Sequence, residues 1–251
     1  MHTLKPAQAG ILFSFLLVCA SYLVVLLGDA RFMALTTEDG VIESLGALSF
    51  LVAALSFLGC WWLSHPLQMK PGFRGSRNLF YLLLALFFLV CAGEELSWGQ
   101  RLFGWQTPEI LLEKNMQQET NLHNLEYFHA YRRDGSRKSW LGMMTNMNRL
   151  FGIFWLSFCV VVPVVYRVST AARSFLDRIR MPITPLWISA LFLTHAFVFQ
   201  VIYSFGWGIP KAALVNLNEL KESNYAFIFA VLGVQQLNSI LLRRRNTADG
   251  P

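Results

Sequence analysis

The chain has 251 residues, of which 55% are hydrophobic and 14% are charged. The positive mean hydropathy of +0.44 excludes an ordinary soluble domain and indicates a polytopic membrane protein. The net charge of +6 does not predict a nucleic-acid partner, because the basic residues lie at the ends of apolar runs and in loops, where they report membrane topology.

Apolar runs near twenty residues recur along the chain, and each can cross a hydrocarbon core of about 30 Å at about 1.5 Å per residue. The first run lacks a small-residue cleavage site before Asp29, so it is predicted to be a retained helix rather than a signal peptide. The pattern predicts an all-α fold, with residues 1–251 forming a single polytopic membrane domain. Its helical bundle would have about six transmembrane helices, at residues 9–28, 41–63, 79–98, 150–169, 183–206 and 224–242, and an outer amphipathic or interfacial helical segment at 101–148.

The charges divide between the two sides of this predicted bundle. Eleven of the 21 basic residues lie on one side, whereas thirteen of the 15 acidic residues lie on the other. The positive-inside rule makes the basic side cytoplasmic, with both termini inside a multi-pass protein of the bacterial inner membrane. Four basic residues of the outer segment run against the rule, as long outer segments often do: Arg132, Arg133, Arg137 and Lys138.

The third predicted span closes on two adjacent carboxylates, Glu94 and Glu95. A carboxylate near lipid is costly unless a partner or a function compensates for it. Counting about twenty residues from the inner ends of the spans puts Glu43 and Glu222 at nearly the same level. The sequence therefore indicates a site beneath the outer headgroups rather than four independent solvated acids.

The outer segment supplies further candidate ligands. Residues 107–109, Thr-Pro-Glu, predict a helix N-terminus, and a second helix is predicted from Gln118 to Tyr131. On that helix Glu119, His123 and Glu126 would share one face, a stripe that suits Zn, Mn or Fe. The same spacing also occurs on ordinary solvated amphipathic helices.

The fifth and sixth spans carry polar groups as well. Ser189, Gln200 and Tyr203 are predicted to face the bundle interior as one stripe, and His195 lies at its edge. His195 would act as a general base, join a metal shell or form a structural hydrogen bond between helices. The carboxylates that open the sixth span, including Glu222, would suit a hard cation such as Ca.

Two strings, GEELSWGQR at residues 93–101 and NMQQETNLHN at 115–124, resemble a signature of a group of small, uncharacterised prokaryotic membrane proteins. That resemblance covers the middle third of the chain and implies an integral membrane location but no reaction. The chain is also distantly similar to alkaline-ceramidase-like membrane hydrolases, seven-span enzymes whose zinc is bound by three histidines. It departs from them because it lacks paired histidines on its last span, with only His123, His129 and His195 on the outer side.

These observations favour a membrane-embedded, metal-dependent enzyme that acts on a lipid or lipid-linked substrate at the extracytoplasmic interface. The alternative is a non-enzymatic membrane subunit, assembly factor or binding module for a periplasmic or membrane partner, with a cation or salt bridges to Arg101 and Arg149 holding the outer segment. A proton-coupled transporter is the third hypothesis. In the enzyme, Glu94, Glu95 and His195 would be catalytic, and the divalent metal would be held by Glu94, Glu95, Glu119 and His123, with Glu43, Glu126 and Glu222 as further ligands.

Overall fold

The computed structural model describes residues 6–37, 40–64, 77–206 and 216–248. Within these ranges the fold is all-helical, and its only β-type pairing is two isolated bridges, Asn115 with Leu125 and Tyr131 with Arg137. The α-helices are α1 (Pro6–Ser21), α2 (Asp29–Thr36), α3 (Val41–Leu63), α4 (Leu79–Glu95), α5 (Gln100–Phe103), α6 (Glu109–Leu112), α7 (Trp140–Met144), α8 (Met147–Trp155), α9 (Val162–Val168), α10 (Thr170–Arg178), α11 (Leu186–Phe205) and α12 (Leu217–Ala248).

Five segments of the described chain are long and apolar enough to cross a membrane. They contain α1, α3, the continuous run from α8 to α9, α11 and α12. These segments match five of the predicted spans, and α3 has the predicted bounds of 41–63. The third predicted span is α4, which has 17 residues and ends at Glu95. This length is at the lower end of what crosses a hydrocarbon core, so a sixth span stays a prediction.

Helix α3 lies at the centre of the bundle and packs most extensively against α12 and α4. The core between these helices is aromatic. The ring of Phe88 lies 5.7 Å from that of Phe57 and 4.6 Å from that of Phe229. All three rings are fully buried. This contact brings the C-terminal end of α4, with its two glutamates, beside the N-terminal ends of α3 and α12.

The fourth spanning segment is irregular at its middle. A π-helical turn, Leu156–Val161, joins α8 to α9, and Pro163 follows it. Proline has no N–H to donate, and its ring conflicts with the carbonyl four residues earlier, so the helix widens before it. The segment remains continuous, as the span prediction requires.

The outer segment contains only short helices, and the predicted helix from Gln118 to Tyr131 is wrong. Its backbone donors are taken by a side chain: Asn115 Oδ1 accepts from the N–H groups of Gln117 at 2.8 Å and Glu119 at 3.3 Å. Gln118 then has φ +60°, which no α-helix allows. Asparagine side chains compete with helical hydrogen bonds in this way, so Glu119, His123 and Glu126 share no helical face.

Candidate functional site

A strained turn follows α4. Ser97, Trp98 and Gly99 have φ of 45°, 55° and 78°, three consecutive left-handed residues of which only the last is a glycine. The turn folds the Trp98 indole onto Gly93, where an added Cβ would lie 2.9 Å from the ring. Non-glycine residues held in this region cost about 1–3 kcal/mol each and cluster at functional sites.

The carboxylate of Glu94 fastens the outer segment to α4. Its Oε1 accepts from Trp98 Nε1 at 2.6 Å. Its Oε2 accepts from the backbone N–H groups of Leu122 at 2.6 Å and His123 at 2.8 Å, and lies 3.3 Å from His123 Nδ1. A buried carboxylate that receives this many donors is stable in its ionised form. The sequence prediction that Glu94 meets His123 is therefore confirmed, although through a loop rather than a helix.

The contact with Glu94 fixes the state of the His123 ring. A carboxylate accepts, so Nδ1 carries the proton and Nε2 keeps a lone pair when the ring is neutral. Burial lowers the pKa of His123, but the hydrogen bond to Glu94 and the nearby charges of Glu222 and Glu119 outweigh it, and the pKa is raised above 6.5. About 30% of the side chain is exposed, so a reactant can approach the ring.

A second set of hydrogen bonds surrounds this pair. Glu119 Oε2 accepts from Ser97 Oγ at 2.7 Å and from Asn121 Nδ2 at 2.7 Å. Asn115 Nδ2 in turn donates to the carbonyl of Asn121 at 2.7 Å. All four side chains are buried. The carboxylate of Glu119 therefore holds the turn to the loop, and it does not share a helix face with His123 as predicted.

Glutamine and threonine side chains extend the same network. Gln100 Nε2 donates to Thr107 Oγ1 at 2.7 Å, and Gln100 Oε1 accepts from the backbone and hydroxyl of Thr120 at 2.8 and 2.7 Å. Thr107 Oγ1 donates to the carbonyl of Gln118 at 2.9 Å, so its hydroxyl does not cap α6 as predicted. The two signature strings therefore dock onto each other through polar side chains.

Glu95 faces a different environment from its neighbour. Its side chain is half-buried, and the negative charges of Glu222, Glu219 and Glu43 act on it in addition to that of Glu94. Across the described ranges, its carboxylate has no hydrogen-bond or ion-pair partner. The charges of acids on α3 and α12 thus act on the end of α4, as the predicted convergence requires, and Glu222 also acts on His123.

The convergence is looser than a metal shell. Among residues 6–37, 40–64, 77–206 and 216–248, no three His, Cys, Asp or Glu side chains are arranged to hold a metal ion. Glu222 lies 3.4 Å from the Lys221 ammonium, and Glu94 and Glu119 are used by the hydrogen bonds above. The predicted seven-ligand set therefore divides into two structural anchors, an acidic cluster of three glutamates, His123, and Glu126, which lies apart in a 3-10 turn.

His195 does not join Glu94 and Glu95, with which it was predicted to be catalytic, because its hydrogen bonds are made elsewhere. Both ring nitrogens are occupied, Nδ1 by the hydroxyl of Tyr22 at 3.1 Å and Nε2 by the carbonyl of Lys221 at 3.1 Å. The ring is fully buried and stands edge-on to Tyr225, with 4.3 Å between centroids. It connects α11 to α12 and to the 3-10 turn after α1, the structural alternative that the sequence left open. The predicted stripe beside it is also incomplete, because Gln200 and Tyr203 are exposed.

Other predicted contacts are absent as well. Glu126 lies in a 3-10 turn, Glu126–Phe128, where its carbonyl accepts from Lys138 Nζ. Arg149 is exposed and has no ion pair among the described residues, and the Arg101 side chain lies outside them. Burial lowers the pKa of His129, and the nearby His123 and Lys138 lower it further.

Sequence reasoning missed the residues that organise the loop, above all Ser97, Asn115 and Asn121. Their signal was the concentration of amide and hydroxyl side chains in the two strings, which no periodicity captures. No family model, curated protein or solved structure matches the chain.

Proposed function

We propose that the chain is a multi-pass membrane enzyme that acts on a lipid or lipid-linked substrate at the extracytoplasmic interface, with both termini cytoplasmic. The observation that carries the proposal is the Glu94–His123 pair, 3.3 Å between Oε2 and Nδ1, held beside an acidic cluster at one end of the bundle. A carboxylate that orients an imidazole is a recurrent arrangement in acid–base catalysis.

In this proposal His123 Nε2 is the general base, taking a proton from water or from a substrate hydroxyl. Glu94 is a positioning residue, because its four contacts are to protein donors and it acts through the ring. A base of this kind contributes about 10²–10⁴-fold to a rate. The protonated His123 ring would then donate this proton from Nε2 to the leaving group, and the negative charge of Glu222 would stabilise the imidazolium.

A divalent cation, Zn, Mn, Fe or Ca, is the second form of the proposal and replaces the base role of His123, because Nε2 cannot bind a metal and accept a proton at the same time. His123 Nε2, Glu95 and Glu222 would be its ligands after side-chain rotation, with Glu94 orienting the imidazole as carboxylates do for metal-bound histidines. Such a cation would neutralise the cluster around Glu95 and polarise an ester or phosphoryl oxygen. Metal analysis of protein purified without chelators tests this part directly.

The experiment for the catalytic proposal is a substrate screen with matched variants. Protein in nanodiscs would be incubated with panels of phospholipids and isoprenyl-linked lipids, and products would be read by mass spectrometry. We expect turnover that His123→Gln reduces by about 10²-fold or more. His129→Gln, a second outer histidine, serves as the control and keeps turnover. Wild-type rates in both variants would remove His123 from the mechanism.

A second candidate is the non-enzymatic subunit or assembly factor. It is favoured by the use of Glu94 and Glu119 to hold the outer segment, which leaves that segment as a rigid surface for a periplasmic or membrane partner. Affinity purification from native membranes discriminates the two. A stoichiometric partner, together with no turnover by the isolated chain, would favour the non-enzymatic function.

A further inference from the structure

A groove of about 410 Å³ runs between α4 and the segment from α8 to α9. Its wall is apolar along most of its length. The aromatic rings of Phe154 and Phe158 form part of it, stacked with centroids 5.8 Å apart. The lining includes Phe80, Leu83 and Phe87 from α4, and Ile153, Ser157 and Val162 from the opposite segment.

The irregular middle of this segment contributes to the groove. The π turn holds Ser157 and Phe158, both of which line the groove, and the lining continues to Val162 beyond it. From Ile153 to Val162 the lining extends about 13 Å at a rise of about 1.5 Å per residue. That is a channel along the direction of the helices, the shape that an extended hydrocarbon chain fills.

Helical spacing puts a cation one turn beyond the groove lining on α8. Arg149 lies four residues before Ile153 on α8, so it is on the same helix face, one turn nearer the outer end. It is exposed, and no described carboxylate pairs with it. Its position in the first turn of α8 adds the positive end of the helix dipole. A lone guanidinium above an apolar channel is complementary to an amphiphile with an anionic headgroup.

We propose that the groove between α4 and α8 binds the acyl chain of an anionic phospholipid, whose phosphate pairs with Arg149. The lipid enters sideways from the bilayer, and its headgroup lies at the level of the outer ends of α4 and α8. This deepens the proposed function by giving the charge of the lipid and its route, and it rests on that function for calling the lipid a substrate.

The test uses two photoactivatable probes in nanodiscs that hold the full chain. One is phosphatidylglycerol with a diazirine in its acyl chain, and the other is phosphatidylcholine with the same chain. After irradiation, labelled peptides are quantified by mass spectrometry. We expect phosphatidylglycerol to label residues 80–87 and 153–162 above other lipid-facing peptides, and Arg149→Gln to lower that labelling by about tenfold. Arg137→Gln, which removes an exposed outer charge elsewhere, is the matched control and leaves it unchanged.

A second pair of variants tests the channel itself. Leu83→Trp fills the groove and should reduce labelling by both probes, whereas Leu55→Trp adds the same bulk to an exposed face of α3 and should not. Size-exclusion profiles confirm that each variant is folded. Two results would overturn the inference. One is equal labelling of all lipid-facing peptides. The other is equal labelling of the groove by the two probes, with no change in Arg149→Gln. If the groove is labelled but the protein has no turnover, the lipid site stands and only the enzyme proposal is contradicted.

Discussion

Glu94→Ala is the most informative single change, because it removes the acceptor of several partly buried donors. The carboxylate accepts from the backbone N–H groups of Leu122 at 2.6 Å and His123 at 2.8 Å. A hydrogen bond to a charged group contributes about 1.5–3 kcal/mol, so these two together hold the loop by about 3–6 kcal/mol. At about 1.4 kcal/mol per factor of ten, the loop opens at least about a hundredfold more often.

Hydrogen exchange measures this opening at the two amides concerned. We expect exchange at Leu122 and His123 to accelerate by at least about a hundredfold in Glu94→Ala, while amides in the middle of α3 keep their protection. Glu95→Ala is the matched control: it removes the adjacent carboxylate, which accepts no described hydrogen bond, and should leave both amides unchanged. If Glu94→Ala exchanges at the wild-type rate, the carboxylate does not anchor the loop.

Three further predictions concern the His123 loop and the turn at Trp98. Because the pKa of His123 is raised above 6.5, a rate that needs the neutral ring should rise with pH through a midpoint above that value. Glu94→Gln should lower this midpoint. A kcat/KM that does not depend on pH would contradict the role of His123 as the base. The same raised pKa gives stability that is present at acidic pH and lost as the pH rises through that midpoint, which thermal melts in detergent would detect. Gly93→Ala should destabilise by about 1–3 kcal/mol, because the new Cβ meets the Trp98 ring at 2.9 Å. Gly152→Ala, a helical position with open space, should be neutral or stabilising by up to about 1 kcal/mol in the same melts, and equal effects of the two changes would contradict the packing argument.

The sequence predicted the parts of the fold that depend on hydrophobicity and length. The bounds of α3 agree to the residue, and counting residues along three helices placed Glu43, Glu95 and Glu222 near one another. These predictions succeed because an apolar run has one low-energy option, a helix of about the bilayer thickness. The acids at the ends of such runs then fall at one level by geometry.

The loop could not be predicted, because its conformation depends on contacts between distant residues. Glu119 and His123 have helical spacing in the sequence, but no helix forms there. The side chain of Asn115 accepts from the backbone N–H groups of Gln117 and Glu119, which a helix would use in its own hydrogen bonds. The left-handed turn at Ser97 and Trp98 has no local sequence signal, and only the assembled hydrogen bonds can offset its strain. His195 was ambiguous because its partner Tyr22 is 173 residues away.

The two adjacent glutamates show how one helix end can serve two purposes. Helix geometry turns successive side chains by about 100°, so Glu94 meets the loop while Glu95 meets α3 and α12. The donors around Glu94 stabilise its charge and fix His123, whereas the charges around Glu95 oppose its ionisation. A protein that needed only to hold its outer segment in place would gain nothing from the second carboxylate. Retaining it among Glu43, Glu219 and Glu222 costs stability, which a proton, a cation or a reacting group at this cluster would recover.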